Sequence, residues 1–274
     1  MTSVRRYRRP QSLEQALSFL ERQGAVIMGG GTRLNAGLVP TRAGAGQSDV
    51  EDVEVVDLQA LDLAGIERRD DAVLRIGAMT RLAELVDSDD VPSVVREAAH
   101  HELPNTLRAQ STIGGCIAIG DPDSELLATL LVHDGRVHIA QTSGSGEVPL
   151  DELLAELPLA SGKIITAVSI DARGASSLMR TGRTPADRPI VAVVARQFDG
   201  RRWVAITGVA ATPVLVNFTA VDGGSLLPPG DGMAASDPHG TSRLEPIGDF
   251  RGSSEYRLAL ARILTARATE AISR

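Results

Sequence analysis

Gly29-Gly30-Gly31-Thr32 and Thr112-Ile113-Gly114-Gly115 are the two stretches that decide how this chain folds and what it holds. The first directly follows the apolar run Ala25–Met28, and the second borders another apolar stretch. A run of glycines lets the backbone turn tightly and leaves its N–H groups uncovered by side chains, as an anionic ligand requires for close approach. A lone Gly-Gly-Gly is most simply an ordinary turn. Two such turns, each setting Gly-Gly beside a threonine, predict a pyrophosphate held between loops of separate subdomains. At Gly115 they also predict a left-handed backbone that glycine alone takes without strain.

Composition narrows the rest. The chain has 274 residues, 43% of them hydrophobic, enough for two domains or one elaborate one around a buried core. A formal net charge of −7 argues against nucleic acid or an anionic membrane as partner. Arg5, Arg6, Arg8 and Arg9 form a local basic exception, expected at an interface or on a solvated strand; no apolar segment follows them as in a targeting signal. No stretch approaches the roughly 18 apolar residues of a membrane span. The single cysteine, Cys116, excludes an internal disulfide and any cysteine-ligated iron–sulfur cluster within the chain. Cytoplasmic residence is the expectation.

Outward from the glycine stretches the pattern is α+β. Ser12 with Gln15 has capping-box spacing, and Leu13, Ala16, Leu17 and Leu20 share one helical face that Gly24 closes. With strands at Ala25–Met28 and Val53–Val56, residues 4–57 form a small β-α-β unit with a loose connection around Ala43–Gln47. Another strand is expected at Val73–Met79, then a short helix capped by Thr80 and carrying Leu82 and Leu85, then a helix over Pro92–His100. Asp121-Pro122 looks like a helix start, with Glu125–Val132 supplying the apolar face. Val137–Ala140 and Ile164–Ile170 complete this part, and a boundary falls near residue 172. Beyond it, Ile190–Phe198 and Trp203–Ala210 are strands joined by the hairpin pair Asp199-Gly200. Residues 221–248 read as a loop. Ser253–Ser273 is a closing helix whose buried side carries Tyr256, Leu260, Ile263, Leu264 and Ala271.

Familiar catalytic patterns are missing. Gly29-x-Gly31-x-x-Leu34 lacks the third small residue of a Rossmann fingerprint, and the only lysine, Lys163, precedes Ile164 and not the Ser or Thr of a Walker loop. Cys116 fits a small residue filling a tight turn better than a reactive thiol. His100-His101 has no partner at ligand spacing and is expected on a helix surface. Asp121, Asp123 and Glu125 are explained by helix capping and dipole complementarity more simply than by general-base chemistry. With no catalytic side chains and no metal site, any chemistry must come from a bound cofactor.

The chain resembles the FAD-binding medium subunits of molybdenum hydroxylases, a family that includes carbon monoxide dehydrogenase medium chains and the flavin domain of xanthine dehydrogenase. The matching segments are Tyr7–Pro10 with Ser12–Leu17, Gly29–Leu34, Ile76–Thr80, Leu107-Arg108 leading into Ser111–Ala118, Asp121-Pro122 with Ser124–Leu126, Gly208–Pro213 and Asp249–Tyr256. They are collinear and span nearly the whole chain. The resemblance implies a PCMH-type FAD-binding fold over residues 1–171, with an N-terminal β-α-β subdomain (1–57) and an antiparallel-sheet subdomain (58–171). A small α+β C-terminal domain (172–274) follows.

By the same resemblance FAD lies non-covalently between the first two subdomains. Its contacts are Gly29, Gly30, Gly31, Thr32 and Arg33 from the first turn and Thr112, Ile113, Gly114, Gly115 and Cys116 from the second. Glu125 stands where the family usually has aspartate, and Ile164 or Ile165 where an apolar residue packs near the flavin. Arg33, Ala109, Ser111, Cys116 and Met179 depart from the family pattern. The implied role is electron relay from an iron–sulfur small subunit, itself fed by a molybdopterin large subunit, to NAD, oxygen or a quinone. Alternatives are a free-standing flavin oxidoreductase and a scaffold subunit that has lost FAD.

Overall fold

The computed structural model describes residues 4–34, 53–70, 72–184, 187–218 and 244–273. Strand β1 (Val4–Arg8), helix α1 (Leu13–Leu20) and strands β2 (Ala25–Met28) and β3 (Val53–Asp57) make a three-stranded parallel sheet of order β1-β3-β2. The Ser12 hydroxyl accepts from the Gln15 amide at 3.2 Å. The Gln15 side chain reaches back one residue further than a capping box requires, to the amide of Gln11 (2.7 Å). Helix α1 buries Ala16, Leu17 and Leu20, which pack with Val56 and Leu58. The connection read around Ala43–Gln47 lies outside the described residues.

The middle of the chain carries β4 (Ile66–Arg68), β5 (Val73–Gly77), α2 (Leu82–Asp87), α3 (Ser93–Glu102), α4 (Asn105–Arg108), α5 (Ile113–Ile119), α6 (Glu125–Val132), β6 (Arg136–Gln141), β7 (Gly144–Pro149), α7 (Leu150–Ala155) and β8 (Lys163–Asp171). Its five strands form an antiparallel sheet of order β4-β5-β8-β6-β7. Three elements begin otherwise than their sequence suggests. The second glycine stretch is the start of helix α5 and not a turn: Thr112 is its N-cap and accepts from Gly115 N at 3.2 Å. Thr80 does not cap α2, since Arg81 holds that position and the Thr80 hydroxyl bonds the backbone of Gly65 instead. Helix α6 begins at Glu125 under a Ser124 cap, leaving Asp121-Pro122 in the preceding turn.

The C-terminal part adds β9 (Ala175–Thr181), β10 (Val191–Phe198), β11 (Arg201–Ile206), β12 (Val214–Phe218) and α8 (Ser254–Ala271). The strands form an antiparallel sheet of order β12-β11-β10-β9. Asp199 and Gly200 both have positive φ (49° and 70°), the backbone of the tight hairpin that their pair predicts. Strand β11 stops at Ile206, short of the expected Ala210, as Gly208 turns left-handed (φ 73°). Most of the loop read over 221–248 lies outside the described residues.

Helix α8 buries Arg257, Ala261, Leu264, Thr265, Ala268 and Thr269. Tyr256 and Ile263, expected inside, are 46% and 50% exposed, and Ala271 also faces out. Small Ala and Thr side chains on the sheet-facing stripe let the helix approach closely.

Among the described residues, the C-terminal sheet lies between two helices. Val191, Val193, Ala195, Val204 and Ile206 pack with α8, whereas Val194 and Ala205 join the cluster containing α6 and the middle sheet. All eight residues of α6 are buried. A third, smaller cluster joins α1 and β3 to the middle sheet through Met79, Ala140 and Ile164. No described helix is long and apolar enough to cross a membrane.

Candidate functional site

A cavity of about 400 Å³ opens where the end of β2 meets the middle part of the chain. One wall is the backbone and side chains of Ile27–Leu34, and the facing wall is built from α3, α4 and α5 with Asp121. Its volume is in the range of ligand sites. Ile27, Met28, Leu103, Leu107 and Ile119 supply apolar surface, and Arg33, Glu102, Asp121 and Arg188 supply charge.

The two glycine stretches meet directly. A Cβ on Gly30 would lie 1.9 Å from the Gln110 carbonyl oxygen, and one on Gly29 would lie 2.8 Å from Thr112 Oγ1. These glycines therefore let one stretch pack on the other. The Ser111 hydroxyl donates to Thr32 Oγ1 at 3.0 Å and ties the two together. Gly31 takes the left-handed backbone of this turn (φ 72°). Among the described residues, no partner accepts from the amides of Gly30, Gly31 or Thr32.

The first turn of α5 differs from expectation. Its amides are already engaged: Ile113 N with Thr80 O (3.1 Å), Gly114 N with Ala78 O (2.9 Å) and Gly115 N with the Thr112 hydroxyl. Gly115 is helical, so no positive φ operates there. Its missing side chain matters for space: a Cβ would meet only Thr112 Oγ1, at 3.1 Å, on the side lining the cavity. Gly114 faces the other way, where a Cβ would lie 2.7 Å from the Ala78 side chain.

Of the predicted contacts, the cavity brings together Gly29, Gly30, Gly31, Thr32, Arg33, Thr112, Gly115 and Cys116. Ile113 and Gly114 are buried behind its wall. Ile164 is fully buried in the core beneath α1, and its neighbour Ile165 lies in the main core. Glu125 is 2% exposed and stands apart from the cavity, accepting from Arg180 Nε at 2.6 Å and lying 2.8 Å from His101 Nδ1. His101 is thus turned inward and not left on the helix surface. Asp121 and Asp123 cap no helix but form ion pairs, Asp121 meeting Arg33 and Arg188 and Asp123 meeting Arg251 at 2.7 Å, whereas Glu125 lies in the first turn of α6 as dipole complementarity expects. Ala109 caps the end of α4, and Met179 sits in β9 against the α8 cluster.

Three cavity residues had no sequence signature as site residues: Glu102, Asp121 in its paired role, and Arg188. Asp121 Oδ2 accepts from Arg33 Nη2 (2.6 Å) and Arg188 Nη1 (2.8 Å). Burial opposes ionisation of Asp121, but the hydrogen bond and charge of Arg188, with Arg33 behind, outweigh it and hold the carboxyl below its usual range. Burial pushes Glu102 up to about 7 against the pull of Arg188 and the Ser124 hydroxyl (2.9 Å). Burial, reinforced by Glu102, also drives the Cys116 thiol well above its ordinary range, so it stays protonated and inert. Among the described residues no His/Cys/Asp/Glu cluster could hold a metal.

Free backbone donors at Gly30–Thr32, a helix start kept clear by Gly115, two guanidiniums and an apolar wall suit a cofactor with an anionic centre and flat ring ends. The site lies where a parallel β-α-β sheet meets an antiparallel one, a setting that suits a dinucleotide cofactor.

Comparison with known proteins specifies the cofactor. Residues 2–171 match the family described as the FAD binding domain in molybdopterin dehydrogenase. The chain is 31% identical over 269 residues to the uncharacterized protein YgfM of Escherichia coli strain K12, covering 96% of this chain and 94% of that one. It is 30% identical over 279 residues to the nicotine 6-hydroxylase medium subunit of Paenarthrobacter nicotinovorans, covering 96% and 95%. In fold it superposes on a chain of carbon monoxide dehydrogenase from Hydrogenophaga pseudoflava with a TM-score of 0.80 at 22% identity, covering 99% and 98%. The chain belongs to the FAD-binding family of molybdopterin dehydrogenases, which are oxidoreductases, and its cofactor is FAD.

Proposed function

We propose that this chain is the FAD-carrying medium subunit of a multi-subunit molybdenum hydroxylase. In this role it relays electrons from an iron–sulfur small subunit, fed by a molybdopterin large subunit, to an external acceptor such as NAD, oxygen or a quinone. The observation that carries the proposal is the glycine-lined cavity in a chain that matches a named medium subunit over 96% of its length. With one cysteine the chain has no thiolate set for a cluster of its own, so single electrons must arrive from another chain. Cytoplasmic residence belongs to the same proposal, as does the division into an FAD-binding part (1–171) and a C-terminal part (172–274).

FAD, when bound, takes up and releases one or two electrons, which joins a one-electron donor to a two-electron acceptor. The residues of this chain have distinct tasks around it. The amides of Gly30, Gly31 and Thr32 donate to the diphosphate, and Gly115 keeps the cavity clear at the start of α5. Arg33 supplies charge, and Thr112 and Cys116 complete the wall. Ile113, Gly114, Glu125 and Ile164 hold these elements in position from behind. Among the described residues lining the cavity the thiol of Cys116 is kept protonated by burial, which supports non-covalent attachment.

Protein purified with its partners should carry an iron–sulfur and a molybdopterin chain and should show flavin absorbance beneath that of the clusters. Acid precipitation should release FAD into the supernatant, whereas a coloured pellet would indicate a covalent bond. The isolated chain should reduce acceptors only when an artificial electron donor replaces its partners. Rapid oxidation of a simple organic substrate by the chain alone would overturn the relay role.

A further inference from the structure

Among the described residues lining the cavity, all but one come from the segment 27–121; the exception is Arg188, between β9 and β10. It crosses to the cavity and donates through Nη1 to Asp121 Oδ2, the same oxygen that takes Arg33 Nη2. Asp121 Oδ1 is occupied by the Asp123 amide at 3.1 Å. Two guanidiniums thus share one carboxylate oxygen, and their combined charge exceeds that of Asp121 by one. The other N–H groups of Arg188 have no partner among the described residues, and its side chain, 38% exposed, lines the cavity. A planar fork of donors held in place by one bond and open elsewhere is well suited to receive a phosphate oxygen.

We propose that Arg188 is a phosphate-holding residue for FAD, acting with Arg33, and that it brings the C-terminal part of the chain into the cofactor site. This rests on the FAD-binding role proposed above. Asp121 keeps both guanidiniums in place before the cofactor arrives, so little side-chain ordering remains to be done on binding. The diphosphate then takes up the charge that Asp121 leaves uncompensated.

The test uses the full chain stripped of flavin, titrated with FAD by fluorescence at low and high ionic strength, in wild type, Arg188→Gln and Arg188→Lys. Arg188→Gln should weaken FAD binding at low salt by roughly tenfold or more, the scale of a lost charge-assisted hydrogen bond, and flatten its salt dependence. Inorganic pyrophosphate should raise the melting temperature of the wild type and not of Arg188→Gln.

Wild-type affinity in Arg188→Gln overturns the inference. So does an equal loss at both salt concentrations with pyrophosphate protection retained, since Arg188 would then act on cavity shape alone. Should the glutamine variant fail to fold, Arg188→Lys decides: it should keep the salt dependence and lose about threefold in affinity, as a point charge replaces the fork, and no loss overturns the inference. Wild type that binds no FAD takes down the functional proposal itself, a result distinct from wild-type binding matched by the variants.

Discussion

Glu102 ends α3 with its carboxyl buried at the cavity wall, accepting from the Ser124 hydroxyl and, at 3.4 Å, from the Leu126 amide. Arg188 and Asp121 face it from neighbouring segments and Cys116 from α5. Because burial raises its pKa to about 7 from 4.5, the folded chain keeps this proton over a range in which the unfolded chain has lost it. Stability from this group is full below about 4.5 and falls as pH rises toward 7. In flavin-free protein, Glu102→Gln should therefore gain on the order of 2–3 kcal/mol over wild type between pH 4 and pH 8, read by urea unfolding. An equal difference at both pH values would refute it. Ionised Glu102 also offsets the arginine charge, so FAD affinity should weaken as pH rises through 7, and Glu102→Gln should abolish that trend. The paired glycines make a second contrast. Gly114→Ala drives a Cβ into Ala78 and should cost about 1–3 kcal/mol in a thermal melt. Gly115→Val should fold near normally and lose FAD because it fills the cavity; full flavin content in that variant would separate Gly115 from the cofactor.

Helix α8 is anchored by one side chain at its first turn. Arg257 Nη1 donates to the carbonyls of Ile190 (2.6 Å) and Gly208 (3.1 Å), and Nη2 meets Asp249 Oδ1 at 2.8 Å. Arg257→Met leaves two buried carbonyls and one carboxylate without this donor, so a loss of about 3–5 kcal/mol in chemical unfolding is expected. A loss below 1 kcal/mol would mean that water replaces the guanidinium at no cost. Much of the element pattern was legible in the sequence, because apolar periodicity and serine caps are local signals: Ser12 and Ser253 each begin a helix, whereas the Ser124 cap was hidden by the more conspicuous Asp121-Pro122. Strand β7, Gly-Ser-Gly-Glu-Val-Pro, carries no apolar alternation and owes its existence to its pairing with β6. Strand β9 is likewise set by β10. The buried stripe of α8 was only partly read: Leu264 lies on it as expected, but arginine, alanine and threonine, none of which marks a core face, form the rest. At the site, the glycines were visible and Arg188 was not, since a lone arginine in a connecting segment signals nothing until tertiary structure brings it to Asp121.

The cores decide how the whole molecule behaves. Helix α6 packs its apolar residues with Val194 and Ala205 as well as with the middle sheet, so the middle and C-terminal parts share one continuous interior. The N-terminal sheet is instead joined to the middle one by a separate, smaller cluster. A fragment ending at residue 171 should therefore lack cooperative unfolding and bind a hydrophobic dye, whereas the full chain melts in one transition across the middle and C-terminal parts. A fragment as stable as the full chain would show that α6 closes its own core. The wholly buried α6 also sets a schedule for synthesis. Its Leu-Leu-Ala-Thr-Leu-Leu-Val face leaves the ribosome well before β10, from residue 191, exists to cover it. At about 5–20 residues per second that interval lasts several seconds, long enough for nascent chains on crowded polysomes to stick to one another. Slow induction should thus raise the yield of this protein, by spacing the nascent chains that expose α6.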